Sequence, residues 1–326
     1  MQYPEGSYHP KLPLSLRFGR TTFIASANIT VRRPYDIEAD WILMSTCNYR
    51  CVYCFWNDEA LGAKISPPAR GELLASFFDR SELTWLLHLT GGEPFMYPDF
   101  VKLCQLLVRQ QFISINTNAD SPRVREFADT VDPRRVDFIN CSVHVQERGR
   151  RNGEKRLSAN FAALRAAGFD VFASSVMYPD ILPNFSDTWA RYAERGIVLI
   201  PKALYGTHLG RSYPEDYTAD ERAIFVHFAQ RATEAYAEQF ARRREPPTVN
   251  PFMDAELFLN RLPDHRGKLC NAGHRFVRIW GNGDIRRCGP QDVIGNVVEG
   301  WFERRPGPSR CAEMECRYFC EKYRVP

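Results

Sequence analysis

TWLLHLTGGEPFMYPDFVKLCQLLVRQQFISINTN (residues 84–118) reads as one complete strand–helix–strand unit. TWLLHL (84–89) is an apolar run of strand length that stops at two glycines. PDFVKLCQLLVRQQ (98–111) repeats its apolar residues at helical spacing, and FISINT (112–117) is strand-like again. The same alternation extends in both directions, from Asp40 to about residue 205. WILM (41–44), DFINCSV (137–143), FDVFASSVM (169–177) and GIVLIPKAL (196–204) complete a set of six candidate strands. ELLASFFDR, SANFAALRAAG and FSDTWARYAERG fill the gaps as amphipathic helices. Strands separated by helix-length segments predict repeated βα units around a parallel sheet, an α/β fold whose site lies where strands run into loops.

Beyond this core, residues 218–244 read as one long capped amphipathic helix, and REPPTVNP as a linker. FVRIW-GNGD-IRRC (276–288) has the turn chemistry of a β-hairpin. The chain has 326 residues, 44% hydrophobic and 25% charged, as in an ordinary globular protein. A formal charge of +4 gives no case for nucleic acid, and the Arg148, Arg150, Arg151 group reads as a solvated face. The first twenty residues lack the apolar core of a secretory signal, and no stretch approaches the roughly 18 apolar residues of a membrane span. A cytoplasmic location with no membrane partner is expected, where thiols stay reduced.

Ten cysteines in such a chain point to metal if they cluster. Cys47, Cys51 and Cys54 form C-x3-C-x2-C in the loop after the first strand; five more follow from Cys270 onward. Cys104 and Cys141 stand apart and read as core packing. Three thiolates serve poorly as a structural zinc site, which takes four ligands. On a cube of four irons, three thiolates leave one iron open for chemistry.

With Tyr53 as the aromatic before the third cysteine, the motif C-x3-C-x-aromatic-C resembles that of the radical S-adenosylmethionine (SAM) superfamily. GGEP, Gly91, Gly92, Glu93 and Pro94, at the next strand end strengthens the resemblance. It implies a partial (βα)6 TIM-like barrel whose Cys47–Cys51–Cys54 [4Fe–4S] cluster binds SAM through the open iron. An electron from the cluster then cleaves SAM to methionine and a 5′-deoxyadenosyl radical. GGEP is implied to hold the SAM amino group, its glycines allowing close approach and its carboxylate and carbonyls accepting from an ammonium. Thr117 and Asn118 are implied to be polar contacts to SAM, and Ser142 and His144 to touch the ribose or the substrate. Lys202, inside an apolar sixth strand, is a candidate substrate contact.

The C-terminal cysteines allow a structural zinc site or an iron–sulfur cluster. Cys270 and Cys288, spaced C-x12-G-x4-C, flank the hairpin, and CAEMECRYFC supplies Cys311, Cys316 and Cys320. This resembles the SPASM/twitch extensions of radical SAM enzymes and implies a small cysteine-rich β-hairpin/helix domain with one auxiliary cluster, probably [4Fe–4S] by that likeness. Cys270, Cys288, Cys316 and Cys320 are the preferred ligands and Cys311 the substitute. The expected division is an N-terminal extension (1–39), a radical SAM core (40–210), a helical connector (211–268) and the auxiliary domain (269–326).

The resemblance implies an oxidoreductase or C–H-modifying enzyme that abstracts hydrogen from its substrate, fed by a flavodoxin- or ferredoxin-type electron donor. Forty residues ahead of the core are too few for a winged-helix peptide-binding domain. This favours net oxidation of a small polar metabolite (sugar, aminocyclitol or nucleoside) in natural-product biosynthesis. Cross-linking, epimerisation or thioether formation on a ribosomally made precursor peptide is the alternative. A non-catalytic iron–sulfur or zinc protein is a remoter one, needing fully ligated sites and no role for GGEP.

Overall fold

A computed structural model describes residues 35–241, 259, 264–289 and 291–314. Its strands are β1 (Ile37–Ile42), β2 (Trp85–Thr90), β3 (Phe112–Thr117), β4 (Val136–Ser142), β5 (Val171–Met177), β6 (Leu199–Ala203), β7 (Gly206–His208) and β8 (Arg211–Tyr213). β9 (Leu269–Cys270), β10 (Phe276–Ile279), β11 (Asp284–Arg286), β12 (Val293–Asn296), β13 (Trp301–Phe302) and β14 (Ser309–Arg310) follow. The helices are α1 (Asp58–Gly62), α2 (Gly71–Arg80), α3 (Phe100–Leu107), α4 (Arg123–Thr130), α5 (Val145–Arg150), α6 (Glu154–Ala166), α7 (Phe185–Ala193), α8 (Ala219–Ala235) and α9 (Ala237–Ala241).

β1 to β6 pair in chain order, all parallel, so the α/β expectation holds strand for strand. The hairpin of β10 and β11 also forms, but β10 joins β1 in parallel, so β10 to β13 extend the same sheet past its first strand. The first strand begins at Ile37 rather than Trp41. Glu38 and Asp40 interrupt its apolar run, yet they alternate with Ile37, Ala39 and Trp41 as a strand with one polar face requires. The long helix breaks at Tyr236, whose hydroxyl donates to the Val198 carbonyl at 2.8 Å while its ring packs against Phe172. A capping box between Thr218 and Glu221 starts α8.

The two faces of the sheet differ in chemistry. Ile37, Ala39, Leu87, Leu89, Ile113, Ile115, Ile139 and Leu199 are buried against the helices and form the core. The opposite face carries Glu38, Asp40, His88, Ser114, Asn116, Asn140, Ser142, Ser174, Lys202 and Arg278, related by strand register. These residues bond across strands: His88 Nδ1 to Ser114 Oγ (2.6 Å), Asn140 Nδ2 to Asn116 Oδ1 (2.6 Å) and Ser174 Oγ (3.0 Å), and Ser142 Oγ to Asn116 Oδ1 (3.1 Å). Nearer the strand starts, Phe138 and Phe172 pack with Tyr236 and seal that end.

Tyr53, on the loop that leaves β1, has its hydroxyl 2.8 Å from His144 Nδ1 at the end of β4 and its ring 4.7 Å from that of Tyr178 at the end of β5. In a flat sheet, strand spacings of about 4.8 Å would hold the ends of β1 and β5 roughly 19 Å apart. The sheet is therefore curled, with its polar face inside.

Candidate functional site

The three-cysteine loop leaves β1 and is tied down before it reaches the thiols. Thr46 Oγ1 donates to the Ala63 carbonyl at 2.7 Å, and the Cys47 amide to the Leu61 carbonyl at 3.0 Å. The Cys54 amide bonds the Cys51 carbonyl at 2.9 Å, closing a turn that returns the third thiol towards the second. Arg50 Nη1 donates to the carbonyls of Cys47 (2.7 Å) and Tyr49 (2.9 Å), and its amide meets the Glu147 carboxylate at 3.3 Å. All three thiols are half-buried. Burial pushes the Cys47 thiol up to about 11, and the negative charges of Glu93 and Cys54 add to this. Burial and then Cys47 and Cys54 push Cys51 up to about 12.

Burial raises the Cys54 thiol as well, and three half-buried thiols whose ionisation is disfavoured suit a cationic centre shared among them. Among the described residues no three His, Cys, Asp or Glu side chains are placed to grip a single ion. One zinc would draw its sulfurs to within about 4 Å of each other, given Zn–S bonds of about 2.3 Å. An all-cysteine donor set is that of iron–sulfur clusters.

GGEP sits beside this loop, and its glycines answer to the chain itself. Gly91 has φ +136°, and a Cβ there would lie 2.3 Å from the Met44 carbonyl oxygen; one on Gly92 would lie 2.0 Å from that of Thr46. The Gly92 and Glu93 amides donate to those same two carbonyls at 2.8 and 2.9 Å. Only glycine lets the strand-end turn lie this close to the root of the cysteine loop. Glu93 is buried, and its carboxylate accepts from Thr117 Oγ1 (2.6 Å), the Asn118 amide (2.7 Å) and the Phe95 amide (3.0 Å). Burial pushes this carboxyl up, while those bonds hold it back. Pro94 opens a short 3-10 turn, its carbonyl accepting from the Tyr97 amide. Glu93 and Thr117 thus spend their side chains on each other. Asn118 Nδ2 continues the chain of bonds to Asn48 Oδ1 (2.7 Å), next to Cys47.

Tyr53 and His144 meet, with Tyr53 Oη 2.8 Å from His144 Nδ1 and the Tyr53 ring 4.7 Å from that of Tyr178. Burial, then the charges of Arg148 and Lys202, push His144 down to about 3, so the imidazole is neutral. Ser142 lies on the inner face, bonded to Asn116. The structure therefore gathers Cys47, Cys51, Cys54, Tyr53 and His144 into one group, and Gly91 to Pro94 with Thr117 and Asn118 into its support.

Of the arginine group, Arg150 and Arg151 are exposed as expected, but Arg148 is fully buried, donates to the carbonyls of Asn118 and Gly153, and lies over the Tyr49 ring. Arg150 and Arg151 bond Glu147, the carboxylate that also meets Arg50 on the cysteine loop. Sequence reasoning also passed over the Asp40–Arg278 ion pair (3.1 Å), which joins β1 to β10 inside the barrel. Its signal was polar residues at every second position of otherwise apolar strands.

At the other end of the chain Cys270 and Cys288 pack together with Ala272 and Phe276, and Cys311 packs against them. β14 pairs with β9, setting Ser309 opposite Cys270 and so delivering Cys311 to the group. Cys316 and Cys320 lie outside the described residues. Among the described residues no helix is long and apolar enough to cross a membrane.

Residues 41–189, less than half of the chain, match the profile of the Radical SAM superfamily, whose members are enzymes. The fold of that superfamily binds SAM and a [4Fe–4S] cluster. The fold is similar to that of anSMEcpe, solved with bound AdoMet, at a TM-score of 0.54 and 15% identity over 81% of this chain and 78% of that one. It is also similar to Streptococcus suis SuiB, at a TM-score of 0.51 and 16% identity over 81% and 64%. In sequence, the chain is 27% identical over 103 residues to a probable GTP 3′,8-cyclase of Thermococcus kodakarensis, 31% of this chain and a third (33%) of that protein.

Proposed function

We propose that the chain is a radical SAM oxidoreductase acting on a small polar metabolite, with an auxiliary iron–sulfur cluster at its C-terminal end. One observation carries this reading: three half-buried thiols stand on a loop pinned by backbone bonds to GGEP, at the edge of a curled sheet with a polar interior. Cys47, Cys51 and Cys54 would hold the cluster, which when loaded supplies the electron for reductive cleavage of SAM. Everything else is the work of the protein. Glu93, Thr117 and Asn118 fix the loop, and Tyr53 and His144 brace its far side without carrying charge. Asn116, Asn140, Ser142 and Ser174 offer hydroxyl and amide groups to a hydrogen-bonding substrate.

Packing of Cys270, Cys288 and Cys311 in one group supports an auxiliary cluster, and it raises Cys311 from substitute to first-rank ligand beside Cys316 and Cys320. Such a cluster would take up an electron from the substrate. The reading includes a flavodoxin- or ferredoxin-type donor for the first cluster. A precursor peptide is the second reading, because anSMEcpe, whose fold is similar, has also been solved with AdoMet and the Cp18Cys peptide.

The test is anaerobic reconstitution followed by iron and sulfide counts, then SAM and dithionite. Two clusters of about four irons each, and 5′-deoxyadenosine in the products, are expected. Zinc in place of iron, with SAM left intact, would sink the proposal.

A further inference from the structure

Among the described residues, one ammonium group in the barrel interior has nothing to hold it. Lys202 projects from β6 onto the polar face, in register with Val176 of β5, and no hydrogen bond or ion pair reaches its Nζ among the described residues. A part-buried ammonium is costly to keep unpaired, and folded proteins pair such groups. The carboxylate it senses, Asp40, is committed to Arg278 at 3.1 Å. His144, which senses Lys202 from the end of β4, is neutral and engaged with Tyr53. With Asp40 and Arg278 cancelling, the group formed by these four side chains carries one net positive charge. On the same face Asn140 Oδ1 is buried and also has no partner. Both groups lie on the inner face, and among the described residues neither has a partner.

We propose that Lys202 is a specificity-determining residue that pairs with a carboxylate or phosphate group of the substrate, so that the substrate of this enzyme is a polar anion. This rests on the radical SAM reading for the role of the interior, and deepens it by naming the charge of the molecule held there. An ammonium surrounded by low-dielectric walls gains more from an anion than a surface lysine does.

The test uses anaerobically reconstituted wild type, K202M and K202R. SAM binding and dithionite-driven 5′-deoxyadenosine formation by the wild type report on the class of enzyme separately; their failure overturns that reading and this one with it. Given their success, Lys202 is methylated with formaldehyde and borane, and its modification is followed by peptide mass spectrometry. Malonate, inorganic phosphate, myo-inositol and 1,3-diaminopropane are compared at matched ionic strength, so that screening is constant. Malonate or phosphate should slow methylation by about threefold or more, as for a site mostly occupied, while the polyol and the diamine do not. The same anions should raise the melting temperature of wild type and K202R but not of K202M. Equal methylation rates with anions and with myo-inositol, or an anion response retained in K202M, would overturn the proposal. So would a tenfold loss of SAM affinity in K202M, which would make the carboxylate that of SAM.

Discussion

The two sides of the barrel mouth are built on opposite principles. On the β2–β3 side the buried charge is a carboxylate, and Glu93 receives three hydrogen bonds, from Thr117, Asn118 and Phe95. On the β6–β1–β10 side the buried charge is an ammonium, and Lys202 donates no hydrogen bond among the described residues. A fully satisfied network rigidifies its surroundings, whereas an unsatisfied one awaits a partner. The first side is scaffold for the cysteine loop; the second is where binding has been left to do.

The largest effect should come from the loop that the scaffold serves. Replacing Cys47, Cys51 or Cys54 singly by Ala is expected to abolish 5′-deoxyadenosine formation while far-ultraviolet circular dichroism stays unchanged, since these thiols are half-buried and pack little. Unfolding of these variants would show that the loop is structural and would erase the contrast between support and site. Next comes Gly92→Ala, whose Cβ would meet backbone oxygens of Thr46 and Ser45 at 2.0 and 2.3 Å. Neither neighbour is a side chain that can swing away, so a loss above about 4 kcal/mol is expected in urea unfolding. Glu93→Ala should cost about 3 kcal/mol or more by orphaning buried donors, and Glu93→Gln distinctly less because its carbonyl oxygen still accepts. Equal losses for the two would mean that the carboxylate's bonds do not hold the turn.

Most of this was legible in advance, and the exceptions share a cause. The βα alternation gave six strands in the right order because their outward faces are continuous runs of apolar side chains. The spacing of Cys47, Cys51 and Cys54 marked the site because it is local in sequence. The GGEP motif pointed to Glu93, but its bonds to Thr117 and Asn118, at the end of the next strand, appear only in the fold. Arg148 passed for a surface residue because neighbouring arginines on a helix usually are solvated; its partners, the Asn118 and Gly153 carbonyls, come from two different loops. The break at Tyr236 was invisible because nothing in TEAYAEQF disfavours a helix, and docking on β5 and β6 decides it. Polar residues on the inner face were each visible as interruptions of a strand, but their convergence depends on how far the sheet curls.

The smallest expected effect is on the ammonium itself, and its sign is fixed by burial. Desolvation, only partly offset by Asp40, pulls Lys202 down from its ordinary value of 10.5 to about 8 in the folded chain. Between those two values the unfolded chain holds the proton more firmly than the folded one, so stability must rise with pH across that window. Below about pH 8 both states are protonated and the full penalty of the buried charge is present. The charged and titratable groups on this inner face are Asp40, Arg278, Glu38 and His88, with His144 at the end of β4 neutral across this range. K202M should therefore be more stable than wild type near pH 7 by about 1–3 kcal/mol, with the gap narrowing towards about pH 9.5. Urea midpoints of the two proteins at both pH values measure it. A gap that stays constant with pH would place the Lys202 ammonium in water, and the two sides of the mouth would no longer differ in how they treat a buried charge.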